Sequence, residues 1–276
     1  MDSPWHPQVD SSRRHPPPRH SLPGSTQGSP RRPDRTLRVE GLVNARDLGG
    51  LRRSDGSTTP RGVFYRSENI DGVTPAGWEQ LRESGIRSVV DLRQPDERAR
   101  DTHARPDWLT TVEVDLDGLD NRAFWKDHLD NGLVGTALYF LPHLRALPER
   151  SGAVLRALAD APPGGVLFHC MGGRDRTGQI AMLLLAAAQV EPDEIVDDYL
   201  ETVRLGELRA ASAPGANAEP SREPQLEAIC VAHGTTTEGA FRDAVDGLDL
   251  PAFFAASGLD AGTVAATRTW RGSLSA

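Results

Sequence analysis

The stretch Gly165-Val-Leu-Phe-His-Cys-Met-Gly-Gly-Arg-Asp-Arg-Thr-Gly178 holds a thiol at Cys170 and, after five residues, a guanidinium at Arg176 followed by the hydroxyl of Thr177. Val166 to Phe168 is an apolar run, the mark of a strand buried on both faces. Gln179 to Ala188 is rich in strong helix formers and apolar enough for a buried helix. A tight loop from strand to helix turns successive backbone N–H groups inward, and the helix N-terminus adds partial positive charge. The product is a cradle for an anion, with Cys170 at its base and Arg176 at its rim. Gly172 and Gly173 let the backbone curl close to a ligand.

Phosphoryl transfer fits these residue types. A thiol attacks phosphorus as thiolate, a form favoured by cations and helix N-termini. Arg176 grips two phosphate oxygens in a planar fork that lysine does not copy. The N–H groups of Met171, Gly172, Gly173, Arg174, Asp175 and Arg176 bind the phosphate and its transition-state charge. Thr177 donates a hydrogen bond to the sulfur, and His169 fixes the loop. Attack by sulfur followed by release to water is covalent catalysis, with no metal or other cofactor required. A Walker nucleotide loop is excluded, because no Gly-Lys-Ser/Thr follows the strand. A buried core cysteine beside an ordinary glycine turn is the plainer alternative, set aside because so many features agree.

A carboxyl group must protonate the leaving oxygen and then activate water. Asp175 lies inside the loop, where a nearby phosphate raises a carboxyl pKa. Asp91 ends the apolar run Ile86 to Leu92, at the carboxyl end of a parallel strand, where open α/β sheets place ligands. Sequence does not separate the two; Asp175 is read as touching the chemistry and Asp91 as supporting or sharing it. Asp117 and Asp120 are outside candidates.

His169-Cys-Met-Gly-Gly-Arg-Asp-Arg-Thr-Gly178 resembles the His-Cys-x5-Arg-Thr-Gly signature of protein tyrosine phosphatases, and most of all the bacterial Lys-Asp-Arg-Thr branch. Asn44-Ala-Arg-Asp-Leu-Gly-Gly50, Phe64-Tyr-Arg-Ser67 and Val90-Asp-Leu-Arg93 resemble the same branch, so the similarity runs from about Leu37 to the C-terminus. The resemblance implies a metal-independent cysteine phosphatase acting on phosphotyrosine, phosphoserine/threonine or phosphoinositides. It also implies a helical lid within 117–148, with an extra core helix pair as the competing reading. Arg174 stands where these relatives have lysine, which puts an inositide preference tied to that lysine in doubt. Asn44, Arg46 and Asp47 are expected to brace the loop, and Arg66 to orient acidic partners.

Of the 276 residues, 38% are apolar and 25% charged, which suits one globular core. The expected fold is α/β: a mostly parallel sheet of four or five strands, helices on both faces, and a helical C-terminal region. Residues 1–36 are Pro/Arg-rich and read as a disordered tail ahead of a single domain, 37–276. That tail has six arginines against three aspartates, so the formal charge of −8 leaves −11 on the rest. An acidic body argues against nucleic acid. Two distant cysteines and no membrane-length apolar run point to the cytoplasm and to no integral membrane association.

Within the domain, Arg38 to Val43, Gly62 to Arg66, Ile86 to Leu92 and Leu109 to Leu116 read as strands. Thr74-Pro75 reads as a capped helix start and Gly85 as its end. Ala211 to Pro224 reads as a mobile surface loop, and Cys230 as a core residue. Two other classes compete: a sulfurtransferase, disfavoured by the Arg-Thr-Gly helix start, and a non-catalytic phospho-ligand binding module, disfavoured by intact Cys170 and Arg176.

Overall fold

A computed structural model of the chain describes residues 34–101, 103–129, 131–212 and 221–275. The expected disordered tail falls outside the described residues as far as residue 33, and so does most of the expected mobile loop, 213–220. Five strands form one sheet: β1 Arg46–Asp47, β2 Phe64–Ser67, β3 Ile86–Asp91, β4 Thr110–Glu113 and β5 Gly165–His169, in the order β1-β2-β5-β3-β4. β1 runs antiparallel to β2, and the other pairs are parallel. The strand that precedes Cys170, β5, is therefore central and wholly buried, as its apolar run requires.

Pleating sends alternate residues to opposite faces. Phe64, Val90, Val166 and Phe168 join the larger core, while Tyr65, Val89 and Leu167 join the smaller one. Against the larger core pack α5 Pro148–Ala159, α6 Asp175–Ala187, α7 Pro192–Arg204, α10 Thr237–Asp246 and α11 Leu250–Ala256, closed by the fully buried Trp270. The smaller core has α1 Pro75–Glu83 and the segment around Leu37 and Val39. Thr74 caps α1 by accepting from Gly77 N at 3.1 Å. Gly85 follows the helix at φ +82°, as a helix-stopping glycine does.

One expectation needs correction. Arg38 to Val43 is not a strand: the chain turns at Glu40-Gly41, and Leu42 N donates to Val39 O at 3.0 Å. Gly41 sits at φ +97° with space for no side chain, since an added Cβ would fall 2.1 Å from Gly72 O. Pairing begins instead at β1, which the turn-rich composition of Asn44 to Gly50 conceals. The segment 117–148 folds as α3 Arg122–Leu129, a 3-10 turn Ala137–Tyr139 and α4 Phe140–Ala146. Trp125, Tyr139, Phe140 and Leu144 of this segment are buried in the larger core. The remaining helices are α2 Pro95–Arg98, α8 Gly206–Ser212, α9 Glu223–Ala232 and α12 Ala261–Arg268. Among the described residues no helix is long and apolar enough to cross a membrane.

Candidate active site

Cys170 to Arg174 connect the end of β5 to the start of α6. Cys170 is buried, and Thr177 Oγ1 donates to its Sγ at 3.1 Å. The loop is fastened from outside by its carbonyls. Asn69 N donates to Met171 O at 3.0 Å. Asn44 Nδ2 and Arg209 Nη1 donate to Gly172 O at 3.3 and 2.9 Å. Arg66 Nη2 donates to Gly173 O at 2.6 Å. In a trans peptide unit the N–H lies opposite the C=O. Holding three successive carbonyls outward leaves the N–H groups of Gly172, Gly173 and Arg174 on the inner side. Gly173 is obligatory here: its φ is +68°, and a Cβ would lie 2.6 Å from Ser67 O and 2.8 Å from Asn44 Nδ2.

The brace behind the loop centres on Asp198 of α7, a buried carboxylate that meets three guanidiniums. Arg35, Arg46 and Arg66 approach it at 2.8, 2.9 and 2.6 Å. Burial works against its charge, but the three arginines outweigh that and hold its pKa well below the carboxylate range. Arg46 also donates to Asn44 Oδ1 at 2.5 Å, so Asn44 and Arg46 reach the loop as a unit. Asp47 does not. Its oxygens accept from Gly49 N and Gly62 N at 2.7 and 3.0 Å, which is turn chemistry.

Arg176 stands at the opposite wall. Its two terminal nitrogens donate to the two oxygens of Glu97 on α2, at 2.5 and 2.8 Å, and Asp117 Oδ2 lies 3.2 Å from Nη1. Burial disfavours its charge, yet Glu97, Cys170 and Asp117 together keep it firmly cationic. This end-on pair with Glu97 fixes the direction of the fork. Asp117 itself is set by the inserted helices: Trp125 Nε1 donates to Asp117 O at 2.9 Å, and His143 Nε2 lies 3.4 Å from the same oxygen. Gln94 Nε2 donates to Asp117 Oδ2 at 2.7 Å.

The candidate acids separate by environment. Burial raises the pKa of Asp175 and of Asp117, with arginines offsetting only part of it. Asp91 goes the other way: burial raises it, but Arg93 and His169 outweigh burial and hold it low. Arg93 Nε and Nη2 donate to the two Asp91 oxygens at 3.1 Å or less, which holds Asp91 in an ion pair. His169 is fully buried, with Nδ1 3.1 Å from Cys170 O and Nε2 3.7 Å from Asp91 Oδ2. Burial pulls its pKa down to about 4.

The side chain of Arg174 is also not where the loop charge was expected. It is buried against Glu223 of α9 at 3.1 Å, with its guanidinium 5.7 Å from the Tyr199 ring. Met171 is the exposed member of the loop. Sequence reading missed Glu97, Asp198 and Arg209, each brought in from a distant helix. Glu97 lies only four residues beyond Arg93, but nothing local links it to Arg176. Among the described residues no group of three or more His, Cys, Asp or Glu side chains is placed to hold a metal ion.

The model of the tyrosine phosphatase family matches residues 37–268. A Cupriavidus necator protein with a provisional tyrosine-protein phosphatase name is 33% identical over 177 residues, 60% of this chain and 62% of its own length. A tyrosine-protein phosphatase of Nostoc commune is 31% identical over 60% of this chain and 59% of its own. The triple specificity protein phosphatase PtpB of Mycobacterium tuberculosis is 31% identical over 59% of this chain and 68% of its own. The chain thus spans about three fifths of the length of the first two relatives. A solved structure of P. aeruginosa TpbA in complex with pTyr aligns at a TM-score of 0.35 and 16% identity, covering 72% of this chain and 87% of that one.

Proposed function

The chain belongs to the tyrosine phosphatase family, and from that premise we propose that it hydrolyses phosphomonoesters through a cysteinyl-phosphate intermediate, with phosphotyrosine in proteins as the first substrate. The observation that carries this reading is Cys170, with Thr177 Oγ1 at 3.1 Å, inside a loop whose carbonyls are drawn outward. Such a loop offers its N–H groups to a phosphate above the sulfur.

Cys170 Sγ attacks phosphorus, and the S–P bond forms as the bond to the leaving oxygen breaks. The N–H groups of Met171 to Arg176 and the Arg176 guanidinium hold the charge on the three non-bridging oxygens. We assign the proton for the leaving oxygen to Asp175, whose burial keeps it protonated at higher pH and whose Oδ1 has no partner among the described residues. Water then attacks phosphorus, its proton passes to Asp175, and the S–P bond breaks to return thiolate and inorganic phosphate. Asp117 is the second reading for the acid, because its raised pKa is combined with a position 3.2 Å from Arg176. Asp91 supports the site through Arg93 and His169.

Engagement of Arg174 by Glu223 supports a single-phosphate substrate over a polyphosphorylated inositol headgroup, since that cation is not free for a second phosphate. Phosphoserine/threonine peptides and phosphoinositides are the competing substrates. Two free thiols accord with work in the cytoplasm.

The test is p-nitrophenyl phosphate turnover with chelator present, wild type against Cys170→Ser. Turnover that survives chelation and vanishes in the variant supports the mechanism; activity persisting in the variant overturns it. Phenyl phosphate, with its poorer leaving group, then locates the acid. Asp175→Asn should depress phenyl phosphate turnover far more than p-nitrophenyl phosphate turnover. If Asp117→Asn does so instead, the roles exchange.

A further inference from the structure

Arg35 lies two residues ahead of the stretch matched by the family model, and within the part of the chain that composition assigns to a tail. Its side chain is nevertheless only 14% exposed. Its Nη1 donates to Asp47 O at 2.8 Å and its Nη2 meets Asp198 Oδ1 at 2.8 Å. From Asp198 two arms run to successive carbonyls of the phosphate loop. One is Arg66, which bridges Asp198 Oδ2 and Gly173 O at 2.6 Å each. The other is Arg46, which binds Asp198 and Asn44, with Asn44 reaching Gly172 O at 3.3 Å.

Fold stability alone is a poor reason for such a cluster. Burying three guanidiniums around one carboxylate carries a large desolvation penalty, and apolar replacements of similar volume are often as stable. Arg66 even leaves its Nε without a partner among the described residues. What the cluster does that apolar side chains cannot is pull two carbonyls outward, which aims the intervening N–H groups inward. Both arms depend on the orientation of one carboxylate. Among the described residues, Arg35 and Arg46 share Asp198 Oδ1, and Arg35 is the more exposed of the two.

We propose that Arg35 is a positioning residue for the phosphate loop, acting through Asp198 on Arg66 and Arg46 without itself touching the loop. This rests on the phosphatase reading of the site, but it concerns anion binding and can be tested apart from turnover.

The experiment uses the full chain and compares wild type, Arg35→Met and Arg35→Lys. Binding of inorganic phosphate is measured by titration calorimetry. Alkylation of Cys170 is measured with anionic iodoacetate and neutral iodoacetamide, and p-nitrophenyl phosphate turnover is measured alongside. Each protein is assayed well below its own unfolding midpoint. Arg35→Met should weaken phosphate binding about three- to tenfold and lower the iodoacetate-to-iodoacetamide rate ratio by a similar factor, the size expected of coupling through a packed network. Arg35→Lys, which keeps a cation within reach of Asp198, should recover most of both.

Unchanged phosphate affinity and an unchanged rate ratio in folded Arg35→Met overturn the proposal. So does equal impairment in Arg35→Met and Arg35→Lys, or a defect that disappears once the assay temperature is lowered. A wild type that binds phosphate in an Arg35-dependent way but hydrolyses nothing leaves this inference standing and removes the phosphatase reading.

Discussion

The phosphate loop is held from two flanks of unequal character. On the strand flank, buried Asn44 and Arg66, both bonded within the cluster around Asp198, fasten the Gly172 and Gly173 carbonyls, and the backbone N–H of half-buried Asn69 fastens that of Met171. On the helix flank, half-buried Arg209 of α8 reaches Gly172 O, while Arg174 pairs with Glu223 and has no closely aligned hydrogen bond among the described residues. Asn44 and Arg66 are each held by several partners, whereas among the described residues Arg209 has one hydrogen bond and Arg174 an ion pair and a ring contact. Pre-organisation of the anion site is therefore a property of the strand flank, and the helix flank adds adjustable charge.

The largest effect should come from Gly173→Ala. A Cβ there meets the Ser67 carbonyl and forces an L-residue to φ +68°. Displacing the loop by even a fraction of an ångström should lower kcat/KM roughly a hundredfold. Steady-state kinetics on p-nitrophenyl phosphate checks this; a change under about threefold would mean that the strand flank does not set the loop. Asp198→Asn should follow. It leaves three buried guanidiniums uncompensated, so urea unfolding should show a loss of about 3–5 kcal/mol, with kcat/KM down at least about tenfold at temperatures where the variant is folded.

The asymmetry between flanks also marks what could be read from the chain alone. β5, the loop and α6 were legible because their signals are local: an apolar run, paired glycines, and strong helix formers. Thr74-Pro75 was legible for the same reason. The Asn44–Arg46 brace was legible only in kind, since its anchor, Asp198, lies 152 residues from Arg46. Arg38 to Val43 misled because its alternating apolar residues satisfy a strand pattern, while the close approach of Gly41 to Gly72 is a tertiary fact. The role of Asp91 was legible only as a choice between acid and support, because position at a strand end says nothing about Arg93 folding back on it. The pairing of Glu97 with Arg176 spans 79 residues and has no local trace.

Acid sharpens the comparison through two histidines. His169 lies under the strand flank, and His143 lies beside α6 with Gln179 Nε2 at 3.1 Å. Burial lowers both pKa values from 6.5 to about 4. Between those values the unfolded chain takes up protons that the folded chain refuses, so stability should fall as pH drops from 6.5 toward 4. Urea midpoints across that window check the slope. His143→Gln should flatten it by about half, with little change in kcat/KM near neutrality, whereas His169→Gln should flatten it and also impair turnover. Equal kinetic effects in the two variants would erase the distinction between flanks.

The smallest effect should come from Arg209→Ala. It removes the 2.9 Å bond to Gly172 O, but Asn44 still reaches that oxygen at 3.3 Å and the strand flank keeps its other contacts. A half-exposed guanidinium with one hydrogen bond among the described residues contributes little once solvent replaces it. kcat/KM should fall about twofold to threefold, mainly through KM, and the unfolding midpoint should hardly move. A salt titration separates charge from geometry: if Arg209 acts as diffuse charge, the gap between variant and wild type should close as ionic strength rises. A gap that persists at high salt, or a loss larger than that of Asp198→Asn, would make the helix flank the one that sets the loop.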